Sequence, residues 1–323
     1  MTLGPRFCLL LTLSISQSLF GATVTIYGDY SSNEWSFRSS PTTGAAAIGP
    51  FPFGLAGWKP VTGDWTGSGQ SGIGVVDPAT ETWDLRNTVS AGAPDIAPFQ
   101  YGAPGWLPVT GDWTGSGDTG IGVFDSSTAN WYLRDTASPG VPDITPFPFG
   151  VPGWIPVTGD WTGSGDTGIG VFDSSTATWY LRDSASPGVT NFAPFQFGAP
   201  GWQPITGDWT GSGHTGIGVF DPTTATWYLR ESLSPGAPDF VFQFGTPGSV
   251  AVTGWISTAA ATPEPASFAL LLLGFAPLLL VSEPARRRAL TLRRTSSSLW
   301  NPCPSGSAAT RRIRGACSGA RRL

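Results

Sequence analysis

The hydrophobic positions along this chain come in short runs. Between residues 153 and 198, "GWIPVTGDW" is apolar and ends in turn residues, and "GIGVFD" is short and β-rich. "ATWYLRD" alternates, and "FAPFQFG" is a last short run. In the alternating run a period of two puts Trp179 and Leu181 on one face and Tyr180 and Arg182 on the other. "SST" and "SASPGV" break the chain between runs. The pattern predicts four short strands per unit and leaves little room for long helices.

The unit recurs at a fixed spacing. Asp64, Asp112, Asp160 and Asp208 are each 48 residues apart, as are Trp58, Trp106, Trp154 and Trp202. Trp35, Trp83, Trp131, Trp179 and Trp227 keep the same step through a fifth copy, as do Arg38, Arg86, Arg134, Arg182 and Arg230. Four-stranded units of this length are the mark of a β-propeller blade. "TIYGDYSSNEWSFR" (Thr25–Arg38) aligns without a gap on "IGVFDSSTANWYLR" (Ile121–Arg134), so the repeats begin at the second strand of a unit. They end on "GSVAVTGWIS" (Gly248–Ser257), which resembles the first strand "GWQPITGDW". The two ends complete one blade. The expectation is an all-β, five-bladed β-propeller of 48-residue four-stranded repeats, with one blade closed by N- and C-terminal strands. An open β-solenoid is the alternative, although its coils are usually shorter.

The "FG…GDW.GSG…IGVFD" unit resembles the FG-GAP or VCBS repeat of exported bacterial proteins and integrin-α-type propellers. Phe-Gly stands at Phe53-Gly54, Phe149-Gly150, Phe197-Gly198 and Phe244-Gly245, with Tyr101-Gly102 as a variant. The resemblance implies the propeller fold and a calcium loop of the form Asp-x-Asp-Gly-Asp-Gly-x-x-Asp after the first strand. Here the first position keeps Asp64, Asp112, Asp160 and Asp208. The third is Thr66, Thr114, Thr162 and Thr210, the fifth Ser68, Ser116, Ser164 and Ser212, and the ninth Gly72, Gly120, Gly168 and Gly216. Calcium takes six to eight oxygens, so one carboxylate per loop predicts weak or absent binding. The other reading is a tight turn, in which Asp, Thr and Ser accept backbone N–H groups and Gly takes positive φ.

Charge divides the chain. Residues 23–262 carry 20 Asp/Glu against 6 Lys/Arg, a net of −14, whereas the last 38 residues carry ten Arg and no acid. The acidic body argues against a nucleic-acid partner, which needs clustered Lys/Arg. Arg6 and the apolar run Phe7–Phe20, followed by Gly21-Ala22, have the layout of a secretory signal peptide, residues 1–22. Near the other end, "TPEPASFALLLLGFAPLLLVSEPARRR" holds Pro263, Glu264 and Pro265, a 16-residue apolar run (Ala266–Val281), then Arg286, Arg287 and Arg288. The run predicts a transmembrane helix at 266–281, slightly short, with the Arg cluster on the cytoplasmic side. The three parts in order resemble the PEP-CTERM sorting signal of Gram-negative bacteria, here residues 258–288. That resemblance implies an inner-membrane intermediate, an exosortase as processing partner, and release to the cell surface or an extracellular polysaccharide matrix. The chain departs from that pattern by continuing through 289–323, an Arg/Ser-rich tail with the composition of disorder. The body, 23–257, has no Cys: Cys8 lies in the leader and Cys303 and Cys317 in the tail.

Two columns carry candidate chemistry. Large aromatics at the Trp65 and Trp83 positions fit core between blades. The set Trp58, Trp106, Trp154 and Trp202 follows Gly at a strand start near a rim, where it serves either as core or as a stacking platform for sugar rings. The Arg column is expected to pair with Asp between strands or blades. His214 is the sole His, so no Ser-His-Asp constellation exists, and no carboxylate pair stands out as a dedicated site. These features fit a non-catalytic module binding carbohydrate, matrix polymer or a surface protein. Alternatives are a structural envelope scaffold and, last, a propeller hydrolase. No cofactor is expected beyond the calcium question.

Overall fold

The computed structural model describes residues 23–257. The expected signal peptide, the sorting signal with Pro263, Glu264, Pro265 and Arg286–Arg288, the apolar span 266–281 and the tail lie outside the described residues.

Among the described residues the regular elements are all strands. The chain opens with β1 (Thr23–Ser31), β2 (Glu34–Arg38) and β3 (Ile48–Pro52). Blade one is β4 (Lys59–Gly63), β5 (Gly72–Asp77), β6 (Thr82–Arg86) and β7 (Ile96–Gln100). Blade two is β8 (Leu107–Gly111), β9 (Gly120–Asp125), β10 (Asn130–Arg134) and β11 (Ile144–Pro148). Blade three is β12 (Ile155–Gly159), β13 (Gly168–Asp173), β14 (Thr178–Arg182) and β15 (Phe195–Gln196). Blade four is β16 (Gln203–Gly207), β17 (Gly216–Asp221), β18 (Thr226–Arg230) and β19 (Phe240–Gln243), and β20 (Val250–Ser257) follows. Each blade is a four-stranded antiparallel meander, and the fifth has the order β20-β1-β2-β3. In that blade β20 pairs with β1 from Thr23↔Ser257 to Tyr30↔Val250. The fold is therefore the five-bladed propeller expected from the repeat, closed by its two ends.

The innermost strands β4, β8, β12, β16 and β20 neighbour one another in a closed cycle. One threonine of each joins them. Thr110 Oγ1 donates to the Thr62 carbonyl (2.9 Å), Thr158 to Thr110 (2.8 Å), Thr206 to Thr158 (2.7 Å) and Thr253 to Thr206 (2.6 Å). Thr62 Oγ1 donates to the Thr253 carbonyl and completes the ring. Just beyond it, Thr119 and Asp64, Thr167 and Asp112, and Thr215 and Asp160 exchange paired hydrogen bonds between adjacent blades. Ser71 and Trp255 do the same at the closing seam, so Trp255 occupies the Asp place of the fifth copy.

The core lies between blades. Trp83 and Leu85 of blade one pack with Ile121 and Val123 of blade two, and the remaining interfaces follow the same plan. Trp35, Trp83, Trp131, Trp179 and Trp227 are fully buried. Each indole N–H donates to the carbonyl of the Phe-Gly pair closing the same blade: Phe53, Tyr101, Phe149, Phe197 and Phe244, at 2.8–3.0 Å. The glycine of that pair is required sterically. At Gly198 φ is +108°, and a Cβ would lie 2.7 Å from Val219 of the next blade. The alternation expected in "ATWYLRD" holds, with Trp179 and Leu181 buried and Tyr180 and Arg182 half-exposed.

The Arg column does not pair mainly with Asp between strands or blades. Each guanidinium turns into the loop that follows its own strand. Arg182 donates to the Ser186 and Val189 carbonyls (2.8 and 2.7 Å), and Arg134, Arg230 and Arg86 repeat the pattern on their own loops. Asp partners occur only within a blade, at Arg86–Asp95 (3.5 Å) and Arg134–Asp143 (3.3 Å). A planar fork of five donors satisfies several loop carbonyls at once, which a single carboxylate partner would not do.

Replacing Thr158 by Val removes one donor and strands the Thr110 carbonyl. We expect a loss of about 1–3 kcal/mol in urea unfolding, with an unchanged m-value.

Candidate functional site

Four "GDWTGSG" loops line one end of the ring. In each, the Asp carboxylate folds back onto its own turn. Asp112 accepts the N–H groups of Ser116 (2.8 Å) and Gly117 (2.7 Å), and Asp160 accepts those of Ser164 and Gly165 (2.9 and 2.8 Å). Asp208 takes those of Ser212 and Gly213, and Asp64 those of Ser68 and Gly69. Both carboxylate oxygens are thus engaged by backbone donors, and the glycines between them hold positive φ. Neighbouring loops also touch: Asp118 stands over Gly67, Asp166 over Gly115 and His214 over Gly163, so the side chain two positions past the Ser wedges against the previous blade. Among the described residues no group of three His, Cys, Asp or Glu is close enough to hold a metal ion.

The second candidate set lies in grooves between blades. Trp106, Trp154 and Trp202 are half-buried, each at the entry to an innermost strand. Each stacks on a tyrosine of the third strand of its own blade: Trp106 on Tyr132 (4.5 Å, 20°), Trp154 on Tyr180 (4.4 Å, 20°) and Trp202 on Tyr228 (4.6 Å, 14°). The tyrosines have the phase of the Arg column, opposite the buried tryptophans. The sequence reading placed Tyr180 on that face without recognising it as a partner for Trp154. Between blades three and four, Phe197, Gly198, Trp202, Tyr228, Gly236 and Pro238 enclose a groove of about 300 Å³.

The groove between the composite blade and blade one differs. Asp84 occupies the tyrosine position, and among the described residues no ring stacks on Trp58. The groove is larger, about 430 Å³, and is walled by Phe53, Gly54, Leu55, Trp58, Asp84 and Pro94. Tyr30 holds its lip by donating to the Leu55 carbonyl (2.8 Å), and Leu55 itself is 58% exposed. Partial burial, aided by Asp77, raises the Asp84 carboxyl above its ordinary pKa. At the interface between blade four and the composite blade, Ser249 and Ser36 replace the Trp and Tyr, so four interfaces rather than five carry a Trp at this position.

Blade one also breaks the repeat at Glu81, where the other whole blades have Ala129, Ala177 and Ala225, all at positive φ. Glu81 is 1% exposed, and neither carboxylate oxygen has a hydrogen-bond partner among the described residues. Burial pushes its pKa up to about 7, while Lys59 pulls in the other direction. Lys59 Nζ donates to the Trp106 carbonyl (2.8 Å). Glu81 and Asp84 are the carboxylates that sequence reasoning missed. Both were visible as departures from the 48-residue columns, and they sit on opposite sides of blade one.

No family model and no curated protein matches this chain. Among solved structures it is similar to the one described as "Crystal structure of BBS1N in complex with ARL6DN, soaked with lead", with 10% identity and a TM-score of 0.34. That match covers 66% of this chain and 62% of the other, so the chain spans under two thirds of that protein's length.

The buried acid sets a pH dependence. Glu81 holds its proton more tightly folded than unfolded, so its contribution to stability is complete below about pH 4.5 and is lost as pH rises through about 7. Asp77, Asp125, Asp173 and Asp221 act oppositely. Hydrogen bonds from their own turns lower their pKa, and that stability is lost as pH falls below the ordinary carboxylate range. Thermal melts are expected to peak near pH 5 and fall toward pH 8. Glu81→Ala, matching the other blades, is expected to remove most of the fall on the alkaline side.

Proposed function

We propose that this chain is a non-catalytic β-propeller binding module, exported and sorted to the cell surface or extracellular matrix, that holds a saccharide polymer in grooves between its blades. One observation carries the reading: four interfaces repeat a half-exposed Trp, a Phe-Gly or Tyr-Gly corner and a Gly/Pro loop, which at Trp58 and Trp202 wall a groove. Flat aromatic faces beside glycine backbone suit the apolar face of a sugar ring. Four weak sites on one rigid ring multiply the affinity for a polymer through effective concentration, by about 10²–10⁴ where geometry permits. The acidic body adds a reason for an uncharged or cationic polymer rather than nucleic acid.

Export and exosortase processing rest on the leader and on the Pro263-Glu264-Pro265, apolar run and Arg286–Arg288 order. The loops of Asp64, Asp112, Asp160 and Asp208 act in this reading as turn braces with no calcium requirement, because each carboxylate already accepts two or more N–H groups, with both of its oxygens engaged. A purely structural scaffold is the second reading. It is favoured by the tight Trp–Tyr stacks, which cover one face of three of the four tryptophans.

Immobilised neutral polysaccharides are expected to retain the protein, and the triple variant Trp106→Ala, Trp154→Ala, Trp202→Ala is expected to elute at least tenfold more readily while staying folded by circular dichroism. Retention by no saccharide would favour the scaffold. Millimolar calcium is expected to leave the melting temperature unchanged, and a rise of about 5 °C or more would show an occupied loop. Mass spectrometry of the exported product is expected to place its N-terminus near Ala22 and its C-terminus near Pro265.

A further inference from the structure

The four aromatic grooves are not equivalent, and the exception is the one beside blade one. In the other three, a tyrosine covers one face of the Trp at 4.4–4.6 Å. At Trp58 the tyrosine is replaced by Asp84, so among the described residues no ring stacks on Trp58 and a carboxylate lines the same groove. Its volume is about 430 Å³, against about 300 Å³ for the groove at Trp202 and Tyr228. Among the described residues the Asp84 carboxylate takes part in no hydrogen bond or ion pair with a side chain or backbone group, although it is half-buried. A structural role for an acid at this position would call for a local donor, as the turn aspartates have in Ala79, Ser127 and Ser175. Asp84 has none, and it faces the space where the stacking partner is missing.

We propose that this groove is the principal ligand subsite of the module, and that it takes a saccharide unit carrying hydrogen-bond donors and no acidic group. The inference rests on the saccharide-binding reading above and specifies its site and substrate class. A pyranose lays its C–H face on Trp58, and its hydroxyl or ammonium donors meet the Asp84 carboxylate. An ionised acceptor makes hydrogen bonds roughly twice as strong as neutral ones and orients the ring. Uronic or sulfated units are repelled twice, by Asp84 at contact and by the net charge of −14 on residues 23–262 at longer range. Leu55, exposed and anchored through its carbonyl by Tyr30, supplies an apolar lip over which a chain of sugars runs out of the groove.

The test is calorimetric titration of the full chain with short oligosaccharides of three kinds: neutral glucan or mannan, glucosamine oligomers, and uronate oligomers. The expected result is one dominant site per chain for a neutral or glucosamine oligomer, with uronate at least tenfold weaker. Trp58→Ala and Asp84→Tyr, which rebuilds the stacked pair of the other blades, are each expected to weaken binding tenfold or more. Asp84→Asn keeps the size and is expected to weaken it by a smaller factor, which separates loss of charge from loss of fold. If Trp58→Ala and Asp84→Tyr bind as well as the parent while the triple variant at Trp106, Trp154 and Trp202 does not, this inference is wrong and the module reading stands. Equal or tighter uronate binding also overturns it. Absence of binding to all three kinds overturns both, and binding of an oligolysine peptide in their place would assign the groove to a basic polypeptide.

Discussion

Five threonine hydroxyls, each donating to the carbonyl of the preceding blade's threonine, run in one direction around the axis from Thr62 through Thr253 and back. Each bond alone is worth about 0.5–1.5 kcal/mol net, but the ring makes every blade depend on both neighbours. A cycle of such bonds has no frayed end. The ring requires one more copy of the inner strand than the chain has whole blades. Strand β20 supplies that copy and pairs along the length of β1. Closure is therefore a hydrogen-bonding requirement at the axis as much as a matter of burying sheet edges.

Once the axis is fixed, the interfaces follow. The tryptophans of the third strands fill the space between blades and tie down the Phe-Gly corners through their indole N–H groups. Four of those corners lie flat on a valine of the next blade, and the fifth, at Gly245, on Asp29 of the composite blade, because they carry glycine. The same contact that seals the core thus forms one wall of a groove on the outer side at Trp58 and at Trp202. Repetition of structure generates repetition of surface. Departures from the repeat, such as Asp84, Glu81 and Ser249, are where individual interfaces acquire their own properties.

The loops with Asp64, Asp112, Asp160 and Asp208 are fixed by what a tight turn requires. The turn needs an acceptor at its first position and two glycines at positive φ, and all four loops retain these. A cation would call for carboxylate oxygens at the later positions, whereas the turn does not, and there Thr, Ser and Gly stand. The residue two places past the Ser, Asp118, Asp166 or His214, has a different task and wedges against the neighbouring loop.

Much of the fold could be read from the chain alone. The period of two in "ATWYLRD" follows from strand geometry, and the period of 48 and the complementary ends follow from counting; neither depends on knowing what touches what. The chain alone also identified the candidate tryptophans, but as a column of four equals. The pairing of Trp106 with Tyr132, the missing stack on Trp58 and the burial of Glu81 depend on how one blade's sheet register meets the next blade's corner. Distances of a few ångströms between residues tens of positions apart are set by packing and are not encoded in the spacing of either column. The Arg column makes the same point. Its regularity was plain, yet its recurrent partners are carbonyls of the following loop, with two Asp pairs beside them, and every residue has a carbonyl, so no residue type marks the carbonyl partners. Sequence determined the architecture because architecture here is periodic. Tertiary structure decided the site because the site lies where that period is broken in space.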